Sequence, residues 1–139
     1  MSVKWNGDKV LSRMTRAEVK GINITMGAAA EHAKKNHPWK SRTFELEASI
    51  GISTFARVKG RGVSGICGSS DIAYALIHEL GGTIRPKRAR ALFLRNEADE
   101  VFAVVQSVTI KARPYLRPAA DAQYPALASN IRKAFKRAA

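Results

Sequence analysis

The residues with the most chemical potential are His78, Glu79 and Cys67, together with Gly60, Gly62 and Gly65. A His–Glu pair is the first half of the HExxH zinc signature, which needs a second histidine one helical turn on. That position is Gly82. His32 and His37, five apart near a helix end, do not replace it. The three glycines fit GxGxxG, but the dinucleotide fingerprint needs a strand before it and a helix opening from its last glycine. Here a strand-like VSGIC follows, which is the pattern of a bulged hairpin. Cys67 lies in that strand, where a thiol behaves as a small inert hydrophobe and not as a partner for His78. Glu45 and Glu47 are two apart, and Glu97, Asp99 and Glu100 share a polar turn. Neither group makes an acid–base pair. Nothing assembles nucleophile, base and oxyanion donors. The expectation is a protein without catalysis, metal or cofactor.

A different chemistry is written in IRPKRARALFL at 84–94. Arg85, Lys87, Arg88 and Arg90 have no acidic counterpart nearby in sequence. They suit contact with phosphates without reading bases. The competing reading is an edge strand protected from aggregation by its cations. Phe93 is the cluster's one aromatic residue, so no platform for stacking single-stranded bases is expected.

The chain has 139 residues, with 24 Lys and Arg against 11 Asp and Glu, a formal net charge of +13. That length suits a single domain spanning 1–139. One cysteine excludes an internal disulfide and multi-cysteine metal sites. No apolar run approaches the roughly 20 residues of a membrane span. The opening MSVKWNGDKV lacks the apolar core of a signal peptide. A soluble, intracellularly made protein is therefore expected. The charge divides as +6 over residues 1–42, −1 over 43–82, +5 over 83–117 and +3 over 118–139. Basic flanks around a near-neutral middle fit either a solvated surface or a face near nucleic acid.

The elements that must carry these residues read as α+β. The N-terminal helical region covers 1–37. Val10, Met14, Ala17, Gly21, Ile24 and Ala28 make one apolar stripe, for the core or for a partner helix. Asn6 or Asp8 could cap its start. Thr15 and Glu18 fit a capping box and a later start. Gly21 weakens the helix but lets another backbone approach closely. Pro38 ends it. A β-rich core follows at 43–117. Residues 43–58 fit a strand and, at their start, a helical turn, with a strand from Ser49 onward. A KGRG turn at 59–62 leads to Val63–Cys67 as a hairpin. Asp71–Leu80 reads as a short helix opened by Ser70 and stopped by Gly81 and Gly82. Ala89–Leu94 and Val101–Lys111, joined by NEADE at 96–100, make a long hairpin over about 83–111. A C-terminal helix runs over 118–139 with Ala120, Tyr124, Leu127, Ile131 and Phe135 on its apolar face, and a kink or restart at Pro125. The expected fold is a small antiparallel sheet with a long hairpin, packed with long N-terminal, short central and C-terminal helices.

The order NHPWKSRTFELEASI (36–50), DIAYALIHELGG (71–82), IRPKRARALFL, VTIKARPYLRPAAD (108–121) and a basic terminal helix resembles the neck or tail-completion proteins of tailed bacteriophages. That group includes head–tail joining and phage virion morphogenesis proteins. The resemblance runs from about residue 36 to the end, and YALIHELGG followed by ARPYLRPA is its most specific part. By position, Tyr74, Glu79, Gly81 and Gly82 match the family's tyrosine, acidic and glycine positions. Arg113, Pro114, Tyr115, Leu116 and Pro118 match its arginine–proline–aromatic–leucine–proline element. The family usually has threonine–glycine where this chain has Thr43 and Phe44. Phe44 lacks glycine's backbone freedom, which makes a longer strand the competing expectation at that turn.

The resemblance implies a structural virion protein of a phage or prophage, located at the neck or head-proximal tail end and in the host cytoplasm during assembly. It implies a homo-oligomeric ring, sixfold by the symmetry of tails in general, that joins tail to head. Its neighbours would be head-closure, tail-terminator or tail-tube proteins, with phage DNA passing without sequence specificity and no membrane involved. Arg85, Lys87, Arg88 and Arg90 would face that DNA or a ring interface. Glu79 and Arg113, if both are partly buried, should pair. The alternative is a small basic nucleic-acid-binding protein without base specificity.

Overall fold

The computed structural model describes residues 2–138. Its elements, in chain order, are α1 (Gly7–Lys35), α2 (Glu45–Ser49), β1 (Ile50–Lys59), β2 (Gly62–Ser69), α3 (Ala75–Leu80), β3 (Gly82–Ile84), β4 (Leu92–Arg95), β5 (Val101–Val105), β6 (Val108–Ile110), α4 (Leu116–Gln123), a 3-10 turn (Tyr124–Ala126) and α5 (Leu127–Arg137). The class is α+β, with a long N-terminal helix, small antiparallel sheets and a C-terminal helix. The strands form three two-stranded antiparallel ladders, β1–β2, β3–β6 and β4–β5. Among the described residues no helix is long and apolar enough to cross a membrane. The residues gather into two compact units: one up to Ile72 together with the segment from Tyr115 onward, the other Ala73–Pro114.

In the first unit α1 packs on the β1–β2 hairpin, α4 and α5. Its buried face is made of small residues, Ala17, Gly21, Thr25, Ala30 and Ala33. Val10, Met14 and Ile24, the bulky members of the predicted stripe, stay exposed. Small residues win the core side because α5 comes very close. A Cβ on Gly21 would stand 2.7 Å from the Ile131 Cα. Polar links fix the same contact. Thr25 Oγ1 donates to the Gly21 carbonyl (2.8 Å) and accepts from Asn130 Nδ2 (3.0 Å). Arg13 donates twice to the Phe135 carbonyl (2.7 and 3.1 Å) while its guanidinium lies 4.1 Å from the ring centre. It thereby gives a donor to a carbonyl in the last turn of α5.

The hairpin is bulged, as its glycines suggested. Register shifts occur between Ile52 and Thr54 and between Thr54 and Arg57. At the second shift the Ala56 N–H donates to Asn23 Oδ1 of α1 (2.8 Å), so the bulge does not leave that donor orphaned. Gly60 takes φ +62° in the connecting turn.

Several boundaries differ from the sequence reading. α1 starts at Gly7, and Thr15 is no cap: its hydroxyl bonds back to the Leu11 carbonyl (3.1 Å). The start of 43–58 is the helical turn α2, and the strand begins at Ile50. Phe44 supplies φ +59°, the left-handed conformation expected of a glycine, so the longer strand does not form. α3 starts at Ala75 and not near Ser70, because Asp71 takes φ +59° and breaks the helix there. The C-terminal helix starts at Leu116 and restarts after Pro125, which sits in a 3-10 turn. Ala120 and Tyr124, expected on the apolar face, are exposed, while Ala119 and Ala134 are buried.

Candidate functional site

The second unit is an interrupted hairpin carried by a short helix. β3 and β6 pair at its base, Gly82 with Ile110 and Ile84 with Val108. The chain then leaves the ladder for a bend over 85–91 before β4 pairs with β5. Ala89–Leu94 is therefore not one strand; β4 begins at Leu92. Val101–Lys111 is likewise divided, with a break at Gln106 and Ser107. The proline and the run of like charges explain the first break. Pro86 has no N–H for a ladder, and four neighbouring cations repel one another.

Arg85, Lys87, Arg88 and Arg90 are all exposed on that bend. Among the described residues none of them makes an ion pair, whereas Arg95 at the far end of the hairpin binds Asp99 (3.0 Å). Four uncompensated cations on six residues make a local positive surface. Such a surface can hold several phosphate oxygens at once, and its contacts would be backbone-tracking and salt-sensitive.

The hairpin arm itself is apolar and exposed. Phe93 pairs across the ladder with Val104, and Phe102 lies two residues along on the same face. All three are more than half exposed, at 61%, 58% and 66%. The opposite face carries Leu92, Leu94, Ala103 and Val105, each only half-buried. The arm is therefore apolar on both faces. Its tip is closed by hydrogen bonds. Asn96 Oδ1 accepts the N–H groups of Ala98 (2.9 Å) and Glu100 (3.0 Å), and the Asn96 N–H donates to the Glu100 carbonyl (2.9 Å).

The structure divides the family-like motif. Tyr74, Glu79, Gly81, Gly82, Arg113 and Pro114 belong to the hairpin unit; Tyr115, Leu116 and Pro118 belong to the helical one. In the hairpin unit the two halves of the motif meet through main chain. The Arg113 N–H donates to the His78 carbonyl (2.7 Å). Gly81 takes φ +71°, and a Cβ there would stand 2.6 Å from the Ala112 nitrogen. The glycine is therefore required twice, for its conformation and for the close approach. Gly82 opens β3. The Tyr74 ring lies edge-on to His78, 5.8 Å between centres. Glu79 is half-buried but Arg113 is exposed, so the shared burial that would have called for their pairing is not met. Burial, and then the charge of Arg113, hold the His78 imidazole below its ordinary pKa.

In the helical unit Tyr115 is buried at 2% exposure, its hydroxyl 2.7 Å from Ser69 Oγ and its ring edge-on to Trp39 at 4.8 Å. Leu116 is half-buried and lies over Gly68, and Pro118 is exposed in the first turn of α4. Trp39 in turn stacks on His37 (4.3 Å), whose Nδ1 bonds to the Trp39 carbonyl (2.8 Å) and whose Nε2 lies 3.5 Å from Glu47 Oε2. Ser41 Oγ donates to the same carboxylate oxygen (2.8 Å). No sequence signal singled out this cluster, because its members come from a loop and from the short helix after it. The order of bonds rules out an activated serine: Ser41 is bound to the acid and not to the imidazole. The cluster anchors the 36–47 segment.

Cys67 is half-buried, its thiol 3.6 Å from the Met26 carbonyl, and burial raises its pKa. That makes it less reactive, not more. Among the described residues no group of three or more metal-binding side chains converges. Fold and surface together define a small basic α+β protein with an exposed apolar arm rooted beside a positive loop. Compared with protein-family models, curated proteins and solved structures, the chain matches none.

Proposed function

We propose that this chain is a structural virion protein of a tailed phage or prophage: a neck or tail-completion component that forms a ring joining tail to head around the DNA passage. The observation that carries the reading is the second unit, where an exposed apolar arm stands on a loop of four uncompensated cations. A ring subunit beside a DNA path needs both features. The arm gives neighbour contacts, and the loop neutralises phosphates without gripping any sequence. The resemblance of the segment order to that of neck proteins favours the particular setting. In this reading the chain performs no catalysis and binds no cofactor. Its partners are copies of itself, head-closure, tail-terminator or tail-tube proteins, and passing DNA. It acts in the virion neck after assembly in the host cytoplasm.

The test is assembly. Tails made without this chain should fail to join filled heads, and adding the purified protein should restore joining and leave it bound at the head-proximal end. A protein that associates with neither tails nor heads overturns the reading. The four loop cations also favour a second reading, a free nucleic-acid-binding protein. Tight binding to duplex DNA at physiological salt, steeply weakened by added salt and lost when the four cations are replaced by glutamine, would decide for it.

A further inference from the structure

Two of the apolar grooves in the first unit lie along α1. One, of about 500 Å³, runs between α1 and α5 and is bordered by both Glu18 and Arg132. The other, of about 620 Å³, lies between α1 and the end of β1. Its floor is Val19, Ile24 and Val58, and its charged rim is Arg16 and Lys20, with no acid among the lining residues. Ile24 and Val58 are exposed at 46% and 60%. An apolar floor with a purely cationic rim selects an occupant that is apolar and acidic together.

The tip of the β4–β5 hairpin is such a segment. Eleven acids are spread over 139 residues, and three of them, Glu97, Asp99 and Glu100, fall within four positions at the tip of the β4–β5 hairpin. Arg95 pairs with Asp99 among them (3.0 Å). Val101 and Phe102 follow directly, both exposed. The Asn96 side chain holds the tip in one shape, which lowers the entropy cost of docking. The balanced charges of the α1–α5 groove give it no such preference.

We infer that the acidic hairpin tip of one copy docks in the α1–β1 groove of a second copy, with Phe102 on the Val19, Ile24 and Val58 floor and the carboxylates against Arg16 and Lys20. The two surfaces are different, so the contact is head-to-tail. Such a contact repeats from copy to copy and closes into a ring when its rotation allows. The inference rests on the homo-oligomer part of the proposed function and specifies its interface.

Two reversed variants test it: Glu97→Lys with Glu100→Lys at the tip, and Arg16→Glu with Lys20→Glu in the groove. Sedimentation over a concentration series should show the unsubstituted protein self-associating and each variant alone at least roughly tenfold weaker. Mixed in equal amounts, the variants should associate again, because every tip then finds a groove of opposite charge. Restoration also shows that both variants fold. Disulfide trapping gives an independent reading in a Cys67→Ser background. Val58→Cys in one copy and Phe102→Cys in another should give the mixed dimer on a non-reducing gel in excess of either homodimer. A protein monomeric throughout, reversed variants that associate as before, or a mixture that does not recover each overturns the inference. Self-association indifferent to tip and groove, with tail joining intact, would remove this interface and leave the neck reading standing. Charge-swap recovery in a protein that never joins tails or heads would do the reverse.

Discussion

Gly21 lies directly beneath the backbone of Ile131: a β-carbon on it would stand 2.7 Å from the Ile131 nitrogen and Cα. This approach sets the distance between α1 and α5, and a methyl group has no room there. Gly27, on the same helix, has nothing within 4 Å of the corresponding position. The two glycines therefore predict opposite signs for one substitution. Alanine favours a helix over glycine by about 1 kcal/mol. Gly27→Ala should stabilise by up to that amount. Gly21→Ala should lose about 1–2 kcal/mol net, since backbone displacement costs roughly 1–3 kcal/mol. Urea unfolding midpoints, at unchanged slope, check both.

Phe44 is exposed and holds φ +59°, a conformation that costs a non-glycine residue roughly 1 kcal/mol. Phe44→Gly removes that cost and gains unfolded-state entropy of similar size, about 0.4–1 kcal/mol. It should therefore leave stability almost unchanged. Phe44→Val, β-branched and ill-suited to positive φ, should destabilise by about 1–2 kcal/mol. Equal losses for the two replacements would mean that the turn is not left-handed.

Tyr115 joins the family-like segment at 36–50 to the last residues of β2. Tyr115→Phe keeps the packing against Trp39 and removes the hydroxyl partner of Ser69. It should cost about 1 kcal/mol. Tyr115→Ala should cost about 3–5 kcal/mol, the range for emptying a buried aromatic site. Near-equal losses would place the energy in the hydroxyl and not in the ring.

His78 gives a pH dependence. Burial first, and the charge of Arg113 second, favour its neutral form in the folded state. The unfolded chain then binds a proton that the folded one resists. Above the ordinary value of about 6.5 the residue has no effect; below it, stability falls as the pH drops, until the folded form also takes up a proton. NMR titration of the imidazole should give a midpoint below 6.5, and Arg113→Gln should move it upward. His78→Gln should flatten the acid-side loss of stability relative to the unsubstituted protein.

The local patterns were legible in the sequence because they rest on short-range physics. Gly60 and its neighbours marked the bulged hairpin, Pro38 and Pro125 marked a helix end and a restart, and NEADE marked the hairpin tip. The charge runs alone located the cationic loop, since like charges without acids nearby have nothing local to pair with. What the linear order did not contain was proximity. Which side of α1 faces the core was decided by the close approach of α5, so Ala17 and Gly21 are buried while Val10, Met14 and Ile24 stay out. The link between Arg113 and His78 is a main-chain bond, invisible to any reading of side-chain types. The left-handed turn at Phe44 runs against the residue's own preference and holds only because the surrounding structure imposes it. Composition, punctuation and charge were properties of the chain. The buried face of α1, the His37–Glu47–Tyr115 cluster and the cationic groove opposite in sign to the hairpin tip arise only once distant segments share the same space.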